Sequence, residues 1–283
     1  MIFGLLPLTI TDLRAQVNPE LFVKEDKQWK VQMLEKKMLE AHGGYKLWKE
    51  APSLSFINEA YDFSISSTDD ISNYVDIYNY KIAIKPGNST GYALFTGEKR
   101  SWIFFDGREI GSVGLVEENN NLKKSPAVLL FSVYALINLP WLTQLDGVKL
   151  KYVGTGRLPL EPGKYDIIKM SFDVGNHNHE GFYELYIDPD SGLLKAVRQT
   201  AIFPKLPGTN FNKGVSDLPV PILHVFKSYR RSSGLTVPTS FVSYLNRKLL
   251  AVHFIQSPSF NEPIREEYIY FSETNSRETP GSG

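Results

Sequence analysis

The chain has no cysteine. Disulfides, thiolate metal sites, a cysteine nucleophile and a lipid-modified cysteine are all excluded for it. It also has no charge imbalance, with 31 basic and 31 acidic residues, so no net field draws it to nucleic acid or to an anionic surface. Histidine is scarce, at 5, which leaves little material for a His-rich metal site. Its longest apolar runs fall short of the roughly 20 residues a bilayer-spanning helix needs. No G-x-S-x-G elbow, phosphate-binding Walker loop or G-x-G-x-x-G occurs in it.

Aromatic residues are plentiful, with 15 Tyr and 17 Phe among 283 residues. Aromatics suit half-buried pleated surfaces, and the length can bury a sizeable core. The first residues, "MIFGLLPLTITDLRAQ", have an apolar run from Ile2 to Ile10 followed by Leu13-Arg14-Ala15-Gln16. They resemble the apolar region and cleavage end of a secretory signal without its basic start. Residues 1–16 are therefore read as a truncated signal segment, 17–271 as one domain and 272–283 as a disordered tail. The alternative is a short apolar N-terminus of a cytoplasmic protein.

From Lys27, with Asp26 as N-cap, a helix is expected, because Val31, Leu34, Met38 and Ala41 recur at helical spacing. Gly43-Gly44 ends it, since glycine takes the left-handed cap conformation without penalty. His42 falls in the last turn, where a partly protonated imidazole suits the negative end of the helix dipole. No base, nucleophile or metal partner lies near it in sequence, so helix termination and packing are preferred to catalysis. Tyr45, Leu47 and Trp48 can fold back on the apolar stripe.

After Pro52 the period changes to two. "SLSFINEAYDFSIS", "SNYVDIYNYKIAIK", "GYALFT" and "SWIFFDG" read as an antiparallel meander. Then comes "SPAVLLFSVYALINLPWLTQL", with Ser125 as N-cap, Pro126 as first helical residue and an all-round apolar stretch from Ala127 to Leu139. A helix of that kind must be buried, inside a curved sheet or as a lid over a cavity. Strands resume from Gly147, with turns at Asp188–Gly192, Ser232-Ser233-Gly234 and Asn246-Arg247-Lys248. One long connection, residues 204–221, holds four prolines and no periodicity.

Candidate chemistry is thin. Asn176-His177-Asn178-His179-Glu180 could clip a metal, but two histidines in a turn without further ligands read as a solvated loop. His224 and His253 lie within strands and are expected as hydrogen-bonded core histidines. Asp188 and Asp190 form a fragment of a calcium loop without the remaining ligands. No catalytic residue, metal site or cofactor is assigned.

Taken in order, "AHGGYKLWKEAPSLSF", "FFDG", "LINLPWLTQLDGVKLKYVGTG", "YDIIKMSF" and "YELYIDPDSGLLKAV" resemble bacterial envelope proteins of the LolA-like class, the lipoprotein carriers and receptors and above all their uncharacterised relatives. The resemblance runs from about Leu34 to Phe260. It implies a mainly β (α+β) fold: a strongly curved antiparallel sheet forming an unclosed barrel, with covering helices on its concave side. It also implies an apolar cavity and a place in the periplasm or envelope of a Gram-negative bacterium. The 204–221 loop and the greater length depart from the carriers.

The expected function is to hold a lipid, acyl chain or other apolar ligand in the half-barrel, as a monomer without nucleic-acid partners or a transmembrane span. Phe131 and Tyr134 of the apolar helix and Trp141 just after it, with Trp102 and Phe104 of the meander, are the candidate ligand contacts. The alternatives are a hydrolase built on the same pocket, and a structural or partner-binding protein with a filled core. An apolar cavity favours binding; a nucleophile–base pair at its mouth favours catalysis.

Overall fold

A computed structural model of the chain describes residues 19–63, 74–86, 91–95, 101–105, 108–113, 126–159, 161–172, 182–201 and 217–264. Two helices open it, α1 (Pro19–Ala41) and α2 (Tyr45–Glu50). Five strands follow: β1 (Leu54–Phe63), β2 (Tyr74–Ile84), β3 (Gly91–Phe95), β4 (Ser101–Phe105) and β5 (Arg108–Val113). Helix α3 (Pro126–Leu142) then leads to β6 (Val148–Gly156), β7 (Tyr165–Phe172), β8 (Phe182–Ile187) and β9 (Leu194–Ala201). The last strands are β10 (Asp217–Ser232), β11 (Leu235–Leu245) and β12 (Lys248–Ser259).

All strands join one 12-stranded antiparallel sheet in the order β5-β4-β3-β2-β1-β12-β11-β10-β9-β8-β7-β6. The first and last strands pair in its middle, and its edges are β5 and β6, the two strands that α3 connects. The meander is thus interrupted where the apolar helix stands. A helix cannot extend the ladder, so the sheet curves without closing. Leu34 and Met38 of α1, Trp48 of α2 and Val133–Ile137, Leu139, Trp141 and Leu142 of α3 share one core cluster with residues of β1, β2 and β7–β12, which lies on the concave side.

Helix α1 begins well before Asp26, so that residue lies inside the helix and is not its N-cap. The apolar stripe is as expected, with Val31, Leu34 and Met38 buried. The helix ends in a Schellman arrangement: Gly44 N–H donates to Leu39 O at 2.7 Å and Gly43 N–H to Glu40 O at 3.1 Å. The left-handed residue of that cap is Gly43, at φ 95°, and a Cβ there would sit 2.4 Å from Gly234 O. Gly44, at φ 88° and ψ 154°, starts α2 in a region open essentially to glycine alone.

Helix α3 continues past the expected Leu139 and carries Pro140 within it. Thr143 Oγ1 donates to Pro140 O at 2.8 Å in the last turn. The expected turns are present. Ser233 and Gly234 have φ of 50° and 83°, and Asn246 and Arg247 have 50° and 66°, the positive values of tight hairpins. Asp188 Oδ1 accepts from the backbone N–H groups of Asp190 and Ser191 at 3.0 and 2.7 Å. Gly192 then brings this turn against Lys37 of α1, whose Nζ donates to Pro189 O.

Candidate functional site

His42 is a bolt between elements. Its Nδ1–H donates to Thr236 O at 2.7 Å, and its Nε2 accepts from Leu194 N–H at 3.2 Å. Both ring nitrogens are thereby used, which fixes the tautomer and ties the end of α1 to β9 and β11. Burial lowers its pKa to about 4, against the smaller raising effect of the Thr236 bond. The imidazole is therefore neutral, and the partial positive charge expected at the helix end is absent: desolvation outweighs the dipole.

Beside it lies the aromatic centre of the concave side. Trp48 and Trp141 stack with centroids 6.0 Å apart and planes 5° from parallel, and His42 and Phe260 meet the Trp141 ring edge-on. Trp48 Nε1 donates to Asn138 Oδ1 at 2.6 Å, while Asn138 Nδ2 donates to Tyr134 O at 2.8 Å. The one asparagine on this apolar helix is thus the acceptor that allows a tryptophan to be buried. Trp141 Nε1 is buried without a hydrogen-bond partner among the described residues.

Of the candidate ligand contacts, Tyr134 and Trp141 are buried members of this core. Trp102, Phe104 and Phe131 are placed by their backbone alone. Pairing puts Trp102 opposite Ala93, itself opposite Ile82, and Phe104 opposite Gly91, itself opposite Ile84. Directly opposed residues share a face, and Ile82 and Ile84 are core residues, so these rows run along the concave face towards the β5 edge. The His177–His179 segment and residues 204–216 lie outside the described residues.

A serine–histidine pair does exist, which the sequence reading missed. The inner row Leu185–Val197–His224–Ser243 places His224 directly opposite Ser243. Ser243 Oγ lies 2.8 Å from His224 Nδ1, and Gln199 Oε1 lies 3.1 Å from Nε2. An amide oxygen takes only a proton donor, so Nε2 carries the hydrogen and Nδ1 accepts from the serine. All three side chains are buried, and burial lowers the His224 pKa to about 3. Gln199 has no charge to stabilise an imidazolium, which a carboxylate would do. The arrangement is that of a satisfied polar network, as expected for a core histidine. His253 is half-buried; it stacks on Phe241 with centroids 4.2 Å apart, and Asn58 Oδ1 lies 3.3 Å from its Nδ1.

The neighbouring outer row, Glu184–Arg198–Leu223–Tyr244, faces away from the core. There the residues after β6 fold back over the sheet, and Leu158 and Tyr165 pack on Ala196 and Val225 in a second, smaller apolar cluster. Beside it opens a cavity of about 880 Å³. Leu158, Pro159, Tyr186, Pro221, Leu223 and Tyr244 supply its apolar lining, and Arg157, Arg198, Asn246 and Arg247 its polar lining.

Strand order and helix placement define the class: one open antiparallel sheet of twelve strands with helices packed on one of its faces. Among solved structures the chain is similar to a LolA superfamily protein from Nitrosomonas europaea, at 10% identity and a TM-score of 0.45, over 84% of this chain and 96% of that one. It is likewise similar to a DUF1329 family protein from Desulfovibrio piger, at 10% identity and a TM-score of 0.46, over 86% and 98%. These are loose likenesses of fold. No family model and no curated protein matches the chain. Among the described residues, no helix is long and apolar enough to cross a membrane, and no group of three or more His, Asp or Glu could hold a metal ion.

Proposed function

We propose that the chain is a binding protein of the bacterial envelope or periplasm that holds a lipid, acyl chain or other apolar ligand on the concave side of its half-barrel. One observation carries this reading. Register carries the rows through Ile82 and Ile84 to positions 102 and 104 on the same face of the sheet, towards an edge strand with one sheet neighbour among the described residues. The chain then enters α3 through the apolar residues Ala127–Phe131, while the later half of that helix, Val133–Leu142, seals the core. Apolar surface kept on one side of an open sheet supports a seat for an apolar guest. Each buried methylene of an acyl chain would contribute about 0.8 kcal/mol.

Phe131→Ala tests it against a neutral fluorescent probe such as N-phenylnaphthylamine. The expected outcome is weaker probe binding with a stability loss smaller than the roughly 3–5 kcal/mol of a packed core Phe→Ala. Wild type that binds no neutral apolar probe, with the full core penalty in the variant, would leave a filled structural core instead. Native mass spectrometry of protein purified from an envelope fraction would identify a co-purified lipid.

A further inference from the structure

We infer a second binding site, on the outer face of the sheet, for an amphiphile with one anionic head group and an apolar body. It is separate from the concave seat and does not depend on it. The 880 Å³ cavity beside β8–β11 lies within the range of small-molecule sites, roughly 300–1,000 Å³. Its apolar residues come from three parts of the chain: Leu158 and Pro159 after β6, Tyr186 from β8, and Leu223 and Tyr244 from the long β10–β11 hairpin.

The charge at this cavity is of one sign except for a single partner. Arg198 Nη1 donates to Glu184 Oε2 at 2.8 Å, so its charge is already met. Arg157 and Arg247 are exposed and make no ion pair among the described residues. They are about 90 residues apart in sequence and meet at one cavity because the residues after β6 fold back over the sheet. Two unpaired guanidiniums beside a floor of leucine, proline and tyrosine complement a carboxylate or phosphate carried on a hydrocarbon or ring body.

Arg247 adds an independent argument. It holds φ 66° in the Asn246-Arg247 hairpin turn, a position where glycine is the favoured residue. An arginine there carries a backbone penalty of about 1 kcal/mol. In a turn that needed only to reverse the chain, glycine would serve better.

The test uses the full chain and three ligands with the same tail: dodecanoate, dodecyl phosphate and dodecanol, titrated by calorimetry. The expected result is that one or both anions occupy a site that dodecanol does not, with affinity falling as salt rises from about 0.05 to about 0.5 M. In Arg157→Gln/Arg247→Asn, anion binding at this site should weaken at least about tenfold, with neutral-probe binding unchanged and the melting temperature not lowered. Asparagine at position 247 keeps a residue that tolerates positive φ. Preference for dodecanoate or for dodecyl phosphate would identify the head as carboxylate or phosphate. The inference fails if the double variant binds both anions as wild type does, or if wild-type affinity for them is independent of salt. It fails equally if neither anion binds beyond the dodecanol stoichiometry. Loss of neutral-probe binding in Phe131→Ala with anion binding intact would separate the two sites.

Discussion

Two buried histidines set a pH dependence. In an unfolded chain an imidazole takes its proton near 6.5, whereas His42 resists protonation to about 4 and His224 to about 3. At pH values below about 6.5 the unfolded state therefore binds more protons than the folded state, and stability falls as pH drops through that window. By pH 5 each histidine should account for a loss of about 2 kcal/mol relative to neutral pH. The urea midpoint should fall between about pH 7.5 and about pH 5. His42→Gln should lower it at the higher pH and make it less steep below 6.5; a wild-type midpoint that does not change would show that neither imidazole is held neutral. The two stacked tryptophans give a second comparison. Trp48→Phe removes the donor to Asn138 and leaves a buried acceptor unpaired, a cost of about 1–3 kcal/mol beyond lost packing. Trp141→Phe removes an indole N–H that has no partner among the described residues, so thermal melts should show it as the milder substitution.

At the scale of elements, the helix end at Gly43-Gly44 depends on close approach as well as on backbone conformation. Gly44→Ala meets no atom within 4 Å and should cost about 1 kcal/mol or more through its positive φ alone. Gly43→Ala places a methyl 2.4 Å from Gly234 O and should cost distinctly more, because the turn between β10 and β11 must move. Denaturant melts of the two variants check the order. This helix end was legible in the sequence because a glycine pair following an apolar stripe has a local cause. The start of α1 was not: Asp26 offered a good cap, but a residue that can cap a helix need not begin one, and the helix runs on through it. The end of α3 was hidden for a similar reason. Proline predicted a stop, yet Trp141 and Leu142 are buried in the core, and that burial outweighs one lost backbone hydrogen bond. The Ser243–His224–Gln199 network was invisible because it is assembled across strands by register, and the Arg157–Arg247 cavity because it forms where the residues after β6 fold back over the sheet, neither of which a local pattern states.

For the whole molecule the decisive feature is that the sheet stays open. The outer faces of its edge strands need protection from pairing with another copy. On β6 half-buried and exposed positions alternate, and the exposed row begins with Lys149 and Lys151 before reaching Val153. Lysines on an edge oppose the approach of a second identical strand, because two such edges would bring like charges together. Helix α1 adds cover, with Lys30 Nζ 3.3 Å from Asp166 Oδ2 and Tyr152 Oη donating to Asp166 Oδ1 at 2.9 Å. Burial, aided by Asp166, pushes the Tyr152 phenol up to about 12, so the phenol keeps its donor hydrogen at neutral pH. The chain's expected monomeric state would then rest on the two lysines more than on the shape of the fold. Lys149→Ile/Lys151→Ile should raise the β propensity of the edge and remove its charge, turning the exposed row that leads to Val153 wholly apolar. Sedimentation velocity across a concentration series should show self-association in that variant and none in wild type. Identical sedimentation of the two proteins would mean that curvature and the α1 bridge protect the edge without the charge.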